Sequence, residues 1–256
     1  MKRRVHEIAE ELTRSLSAWP GVVAVTLGEA ANIEVLDPYF FIDIDVYLDA
    51  REPPPEERRR LLGNPASHEV LGHRNADAFL VGELPIRVQY TETARIDLNL
   101  NRATSGSWVY HRENGTNVFY RIERSELLYD RGDWYARARQ SLVGLPPQFW
   151  DHVKSESRIW VEGSLQDLSA ATHRADEVFF IVAASRFVRS LCAFLFAANN
   201  RFEPNGRMLR EELAGLASLP SEFLGRFESF VRQSPPLSAD RRREVAELLA
   251  RSILSL

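Results

Sequence analysis

The stretch FFIDIDVYL, residues 40–48, decides how the rest of the chain is read. Strand alternation puts Phe41, Asp43, Asp45 and Tyr47 on one face, and Phe40, Ile42, Ile44, Val46 and Leu48 on the other. One face is wholly apolar, so that face lies against a core. The other carries two carboxylates that flank a single isoleucine. Two like charges on one strand face repel, and burying them is costly unless a cation neutralises them. A hard divalent ion bridging carboxylate and phosphate oxygens would do so. An edge strand with a solvated face would leave the same pattern, and Asp-x-Asp alone does not separate the two.

Upstream, Val5, Ile8, Ala9, Leu12, Leu16 and Trp19 recur at spacings of three and four, which predicts an amphipathic helix stopped by Pro20-Gly21. GVVAVTL (21–27) reads as a buried strand ending at Gly28. Downstream, residues 51–62 are expected to form a charged, exposed stretch. LPIRVQY (84–90) and ARIDLNL (94–100) read as strands, as do SWVYH (107–111) and NVFYRIE (117–123) on either side of a turn-prone Asn-Gly. Beyond about residue 125 the period becomes helical, with helices expected over 132–142, 151–172, 175–198, 206–217, 220–232 and 238–254. The pattern implies an α+β domain over residues 1–124 followed by an all-helical domain over 125–256.

Composition removes several classes. The 256 residues carry a formal net charge of −4, so no basic surplus points to nucleic acid. The single cysteine, Cys192, excludes a disulfide framework and a Cys-rich zinc site, and its apolar setting predicts a buried, inert thiol. No uninterrupted apolar run has membrane-spanning length, and MKRRVHEIAE lacks the apolar core of a signal peptide. A cytoplasmic protein without a membrane partner is the expectation. No Rossmann or P-loop glycine pattern occurs. His68 and His73, in HEVLGH, are five apart; on a helix they would diverge by about 140° and could not share a zinc. Among 32 basic residues only Lys2 and Lys154 are lysines, so phosphate-binding cations in this chain are expected to be arginines.

The segment VAVTLGEAANIEVLDPYFFIDIDVYL (23–48) resembles the polymerase-beta-like nucleotidyltransferases, whose members carry Gly-Ser after a first strand and then an Asp-x-Asp strand. SELLYDRGDWYARA (125–138) and LFAANNRFEPNGRMLREEL (195–213) are similar to the helical domain of bacterial aminoglycoside- and lincosamide-type members. The resemblance implies an N-terminal nucleotidyltransferase fold, a mixed sheet with flanking helices, followed by a C-terminal helical bundle. It implies Mg²⁺ held by Asp43 and Asp45, and ATP as the nucleoside triphosphate. AMP would pass to a hydroxyl of an unidentified small-molecule or protein acceptor. Gly28 would let the backbone approach the phosphates. Arg207 would contact phosphate, or else be a solvated residue at a helix start. A homodimer is left open, since related aminoglycoside enzymes complete the site across one.

Three departures stand out. Glu29 occupies the serine position beside the phosphates, and Gly28 and Asp43 are fifteen residues apart. The third carboxylate that many members carry on a following strand is missing from LPIRVQY, which offers only Arg87 and Gln89. Asp97, on the next expected strand, is the substitute and candidate general base, with Glu92 second. These departures keep open a catalytically degenerate nucleotide- or partner-binding module, and a module in which Asp-x-Asp is incidental. Arg186 and Arg189, on the apolar segment 175–198, call for acidic partners or a bound anion. Trp108, Trp134, Trp150 and Trp160 are expected to be core or interface residues.

Overall fold

The computed structural model describes residues 2–28, 41–72, 75–110, 115–232 and 237–254. The chain divides into two compact units, Met1–Trp108 with Arg121–Leu145, and Val109–Tyr120 with Pro146–Leu256.

In chain order the first unit holds α1 (Lys2–Leu16), β1 (Val22–Leu27), β2 (Ile42–Leu48), α2 (Pro55–Leu61), β3 (Glu69–Leu71), β4 (Ala76–Val81), β5 (Leu84–Glu92) and α3 (Thr93–Thr104). The last turn of α4 (Asn117–Arg124), then β6 (Glu126–Asp130) and α5 (Trp134–Val143), complete it. The six strands form one mixed sheet in the order β3-β4-β5-β2-β1-β6. β2 is central: antiparallel to β1, with Thr26 opposite Asp45, and parallel to β5. Ile42, Ile44, Val46 and Leu48 enter a core with Val5, Ile8, Leu12, Leu16 and Trp19 of the α1 segment, as both periodicities require.

A second, polar cluster is sealed inside this unit. The stretch 51–62, expected to be exposed, supplies one member: Arg58 of α2 is 3% exposed, and Asp77 of β4 is fully buried. Arg58 donates to both Asp77 oxygens, Nε at 2.8 Å and Nη2 at 3.0 Å, and its Nη1 donates to the Pro53 carbonyl at 3.0 Å. The Tyr90 hydroxyl donates to Asp77 at 2.9 Å, and the buried His68 ring lies 3.5 Å from the same carboxylate. The Arg58 guanidinium and the Asp77 carboxylate thus satisfy one another, the condition under which a charge can be buried. His68 therefore belongs to this cluster rather than to a metal pair; His73 lies outside the described residues.

Several expected elements differ. ARIDLNL is helical, within α3, and not a strand. Ile96, Leu98 and Leu100 alternate, but Leu98 is 48% exposed while Ile96, Leu100 and Ala103 are buried, a helical spacing of four and three. NVFYRIE is helical too, within α4, and residues 107–110 form no regular element. SELLYD, expected in the helical domain, supplies the edge strand β6, pairing Leu27 with Glu126 and Ala24 with Asp130. Asp130 then accepts from the backbone N–H groups of Tyr135 and Ala136 at 3.0 Å each, which starts α5. The first unit thus runs on to Leu145, past the expected cut at 124/125. β3 and β4 carried no sequence signal of their own.

The second unit contains α6 (Pro147–Arg174), α7 (Glu177–Ala198), α8 (Leu209–Ala214), α9 (Phe223–Val231) and α10 (Ala239–Leu254), each within or around an expected helical stretch. Asp176 caps α7 by accepting from the Phe179 N–H at 2.9 Å. Asn199 closes its other end, donating to the Leu195 carbonyl at 2.9 Å. By length and composition α7 could cross a membrane, yet half of its apolar window is buried, with Phe180, Ala183, Phe187, Leu191 and Leu195 in the unit's core. Cys192 is 2% exposed, and burial pushes its thiol up to about 12, which leaves it inert. Arg186 pairs with Asp167 at 3.8 Å. Trp150 is buried in a ring cluster with Phe149, Phe202 and Phe119, whereas Trp160 is 39% exposed.

Glu203 organises the start of α4 within this unit. Its carboxylate accepts from the Thr116 N–H at 2.8 Å and the Thr116 hydroxyl at 3.2 Å. The Glu203 N–H donates back to that hydroxyl at 2.8 Å. A Cβ at Gly115 (φ +50°) would overlap the carboxylate, so glycine is required there. This anion at a helix N-terminus explains why 117–124 is helical despite its strand-like composition.

Candidate functional site

The acidic pair lies where β1, β2 and β5 run side by side. Parallel register places Asp43 beside Arg87 and Asp45 beside Gln89. All four side chains follow from two short alternating segments, and their juxtaposition follows from the register.

Asp43 is held by Arg87 in a two-pronged pair, Nε to Oδ1 at 2.6 Å and Nη2 to Oδ2 at 2.7 Å. Both side chains are about a quarter exposed, 25% and 26%. The Arg87 guanidinium also lies over the Phe41 ring, 5.3 Å from its centroid. Asp45 is buried and pairs with Arg121, whose other arm donates to the Gln89 side-chain oxygen at 2.8 Å. The second Asp45 oxygen, Oδ2, is buried without a hydrogen-bond partner. Burial raises the Asp45 carboxyl above its ordinary range; Arg121 opposes the shift, the Asp43 charge adds to it and Arg87 opposes it.

Arg121 owes its position to the end of α4. The Tyr135 hydroxyl and Arg139 Nε both donate to the Ile122 carbonyl, at 2.9 and 3.1 Å, and Arg139 also reaches the Ser125 carbonyl. A guanidinium and a phenol thus satisfy carbonyls at this C-terminus and complement its dipole. Tyr135 in turn packs on Tyr47, the next residue on the Asp43–Asp45 face, at a ring separation of 5.5 Å.

Gly28 is where the sequence reading put it, at the end of β1 and against the pair. Its N–H donates to the Asp43 carbonyl at 2.8 Å. A Cβ there would sit 3.0 Å from the Asp43 Cβ and 3.3 Å from the Asp43 oxygen. The absent side chain is a condition for seating Asp43 as well as for any close approach of a ligand.

The other sequence candidates are not gathered here. Glu29 lies outside the described residues. Asp97 is exposed on α3 and accepts from the Trp134 indole N–H at 3.0 Å. It is not on the strand beside β2, because that strand is β5. Glu92 is exposed at the end of β5, where α3 begins. Arg207 belongs to the second unit; its backbone N–H donates to Asn205 Oδ1 at 2.8 Å in the turn before α8. Arg121, by contrast, had no signal in the sequence beyond an arginine within an apolar segment.

Does this donor set suit a divalent ion? Mg²⁺ asks for near-octahedral oxygen ligation, usually from carboxylates with water and phosphate. Three of the four carboxylate oxygens accept from guanidinium groups. The neighbouring strand contributes an arginine and an amide instead of an acid. Among the described residues no group of three His, Cys, Asp or Glu side chains is arranged to hold a metal. As it stands, the site is compensated internally and does not fit the ion.

The fold itself is nucleotidyltransferase-like. A solved nucleotidyltransferase-like protein from Exiguobacterium sibiricum 255-15 matches with a TM-score of 0.50 and 11% identity, over 96% of this chain and 74% of that one. Neither a family model nor a curated protein matches the chain.

Proposed function

We propose that this chain is a nucleotidyltransferase-fold module that binds a nucleoside triphosphate through its backbone and arginines, without metal-dependent transfer. One observation carries the reading: Arg87 and Arg121 neutralise Asp43 and Asp45 from within the chain. Arg87, about a quarter exposed, spends Nε and Nη2 on Asp43 and keeps Nη1 as a donor that a phosphate oxygen can engage without breaking the pair. Among the described residues two charges of each sign balance at the pair, unlike the acidic pocket that a metal-loaded centre requires.

A second reading retains transfer. The unpartnered, buried Oδ2 of Asp45 favours a Mg²⁺-dependent enzyme that moves AMP from ATP to a hydroxyl of a small molecule or protein. The two readings predict opposite behaviour of one variant. In calorimetric titrations with ATP, binding persists in EDTA and persists or tightens in the Asp43→Asn/Asp45→Asn double variant, because two anions leave and two guanidiniums are freed. Across a panel of hydroxyl acceptors no pyrophosphate is released. Mg²⁺-dependent pyrophosphate release that disappears in the double variant would establish the enzyme instead. Failure of the wild-type protein to bind ATP in either condition would refute the nucleotide reading.

A further inference from the structure

Arg87 does for Asp43 what a bound cation would do, with a geometry that an ion cannot improve. It enters from the adjacent parallel strand, level with its partner, and engages both carboxylate oxygens through a planar fork. Phe41 covers one face of that guanidinium. Arg121 approaches Asp45 from α4 and is divided between that carboxylate and the Gln89 amide oxygen. Its helix end is fixed by Tyr135 and Arg139. Each guanidinium is thus held on at least two sides and needs no uptake from solution. A tethered group competes at a high effective concentration with any ion that must bind from bulk water. A divalent ion arriving at the pair would also meet two cations at short range in a partly buried setting, where repulsion is weakly screened.

We infer that Arg87 and Arg121 are the permanent counter-cations of the Asp43–Asp45 pair in this chain, and that removing one of them uncovers a latent divalent-metal site. The inference deepens the reading above but does not require a nucleotide. A failed ATP titration leaves it standing, and the absence of any gained metal site in the folded arginine variants overturns it alone.

The experiment uses the full chain and Mn²⁺ alone, followed by electron paramagnetic resonance and by thermal shift. Wild-type protein shows no saturable binding up to about 1 mM, the weak end of the range for protein sites of hard cations. Arg87→Met keeps the apolar stem without the charge and gains a site at least about tenfold tighter, an effect of the freed carboxylates. Adding Asp43→Asn in that background removes it. Arg121→Met is the second route, with loss on adding Asp45→Asn. Saturable wild-type binding lost in Asp43→Asn overturns the inference. So does the absence of any gain in both arginine variants, once circular dichroism shows them folded. If neither variant folds, the wild-type titration decides: saturable binding overturns the inference and its absence supports it.

Discussion

Replacing Asp77 by alanine removes the anion from the sealed cluster of the first unit, and its cost can be worked from the contacts. Arg58, at 3% exposure, would lose both of its bonds to the carboxylate, at 2.8 and 3.0 Å, and keep the Pro53 carbonyl, Glu52 at 3.7 Å and the face of the Tyr90 ring. Burial works against the Arg58 charge, and the bonds and charge of Asp77 more than offset it. Without them a guanidinium remains in the interior with one good acceptor. Breaking a buried pair in this way costs about 3–5 kcal/mol, and the Tyr90 hydroxyl left without its acceptor adds about 1 kcal/mol. Against a typical domain stability of about 5–15 kcal/mol, Asp77→Ala removes about a quarter of the total or more. Urea unfolding, fitted with separate transitions for the two units, reads the loss as a lower midpoint in one of them. The companion double variant Arg58→Met/Asp77→Leu removes both charges and both desolvation terms. It should recover most of the stability, since apolar residues of similar volume replace buried ion pairs at little cost. A loss below about 1 kcal/mol in Asp77→Ala would refute the argument. So would a double variant as unstable as the sum of its singles, because then packing rather than charge would carry the effect.

Two further outcomes follow from single positions. Gly28→Ala places a Cβ 3.0 Å from that of Asp43 and should cost about 1–3 kcal/mol in urea unfolding, whereas Gly144→Ala, with open space around it, should be neutral; equal effects would undo the close-approach argument. The Glu203 carboxyl is raised from 4.5 chiefly by burial, opposed by its bonds from Thr116 and Tyr110 and by the Arg189 charge. An acid with a raised native pKa contributes stability that is complete below 4.5 and is lost as pH rises through the native value. Measured as the difference from Glu203→Gln, wild-type stability should therefore fall with increasing pH above 4.5, and a difference that rises with pH would contradict the burial cause.

The comparison between sequence and structure is clearest at the acidic pair. Alternation alone put Asp43 and Asp45 on one face of a core strand, and Gly28 at the end of its predecessor, because a strand's period of two depends only on local backbone geometry. The long helices α6, α7 and α10 were legible for the same kind of reason, a sustained 3.6-residue period. Short segments failed where two periods fitted equally: Ile96, Leu98 and Leu100 satisfy a strand, and only the exposure of Leu98 shows that the face is helical. β6 failed because an edge strand of five residues draws its order from pairing with β1 and not from its own composition.

What occupies the carboxylates was beyond local reading. The partners of Asp43 and Asp45 stand 44 and 76 residues downstream. Strand register delivers the first, and a helix end held by Tyr135 and Arg139 delivers the second. By itself the sequence determined that two acids share a strand face and that the available cations are arginines. Only the tertiary structure decided that those arginines neutralise the acids, because electrostatic partnership depends on separation in space, which strand pairing and helix placement set.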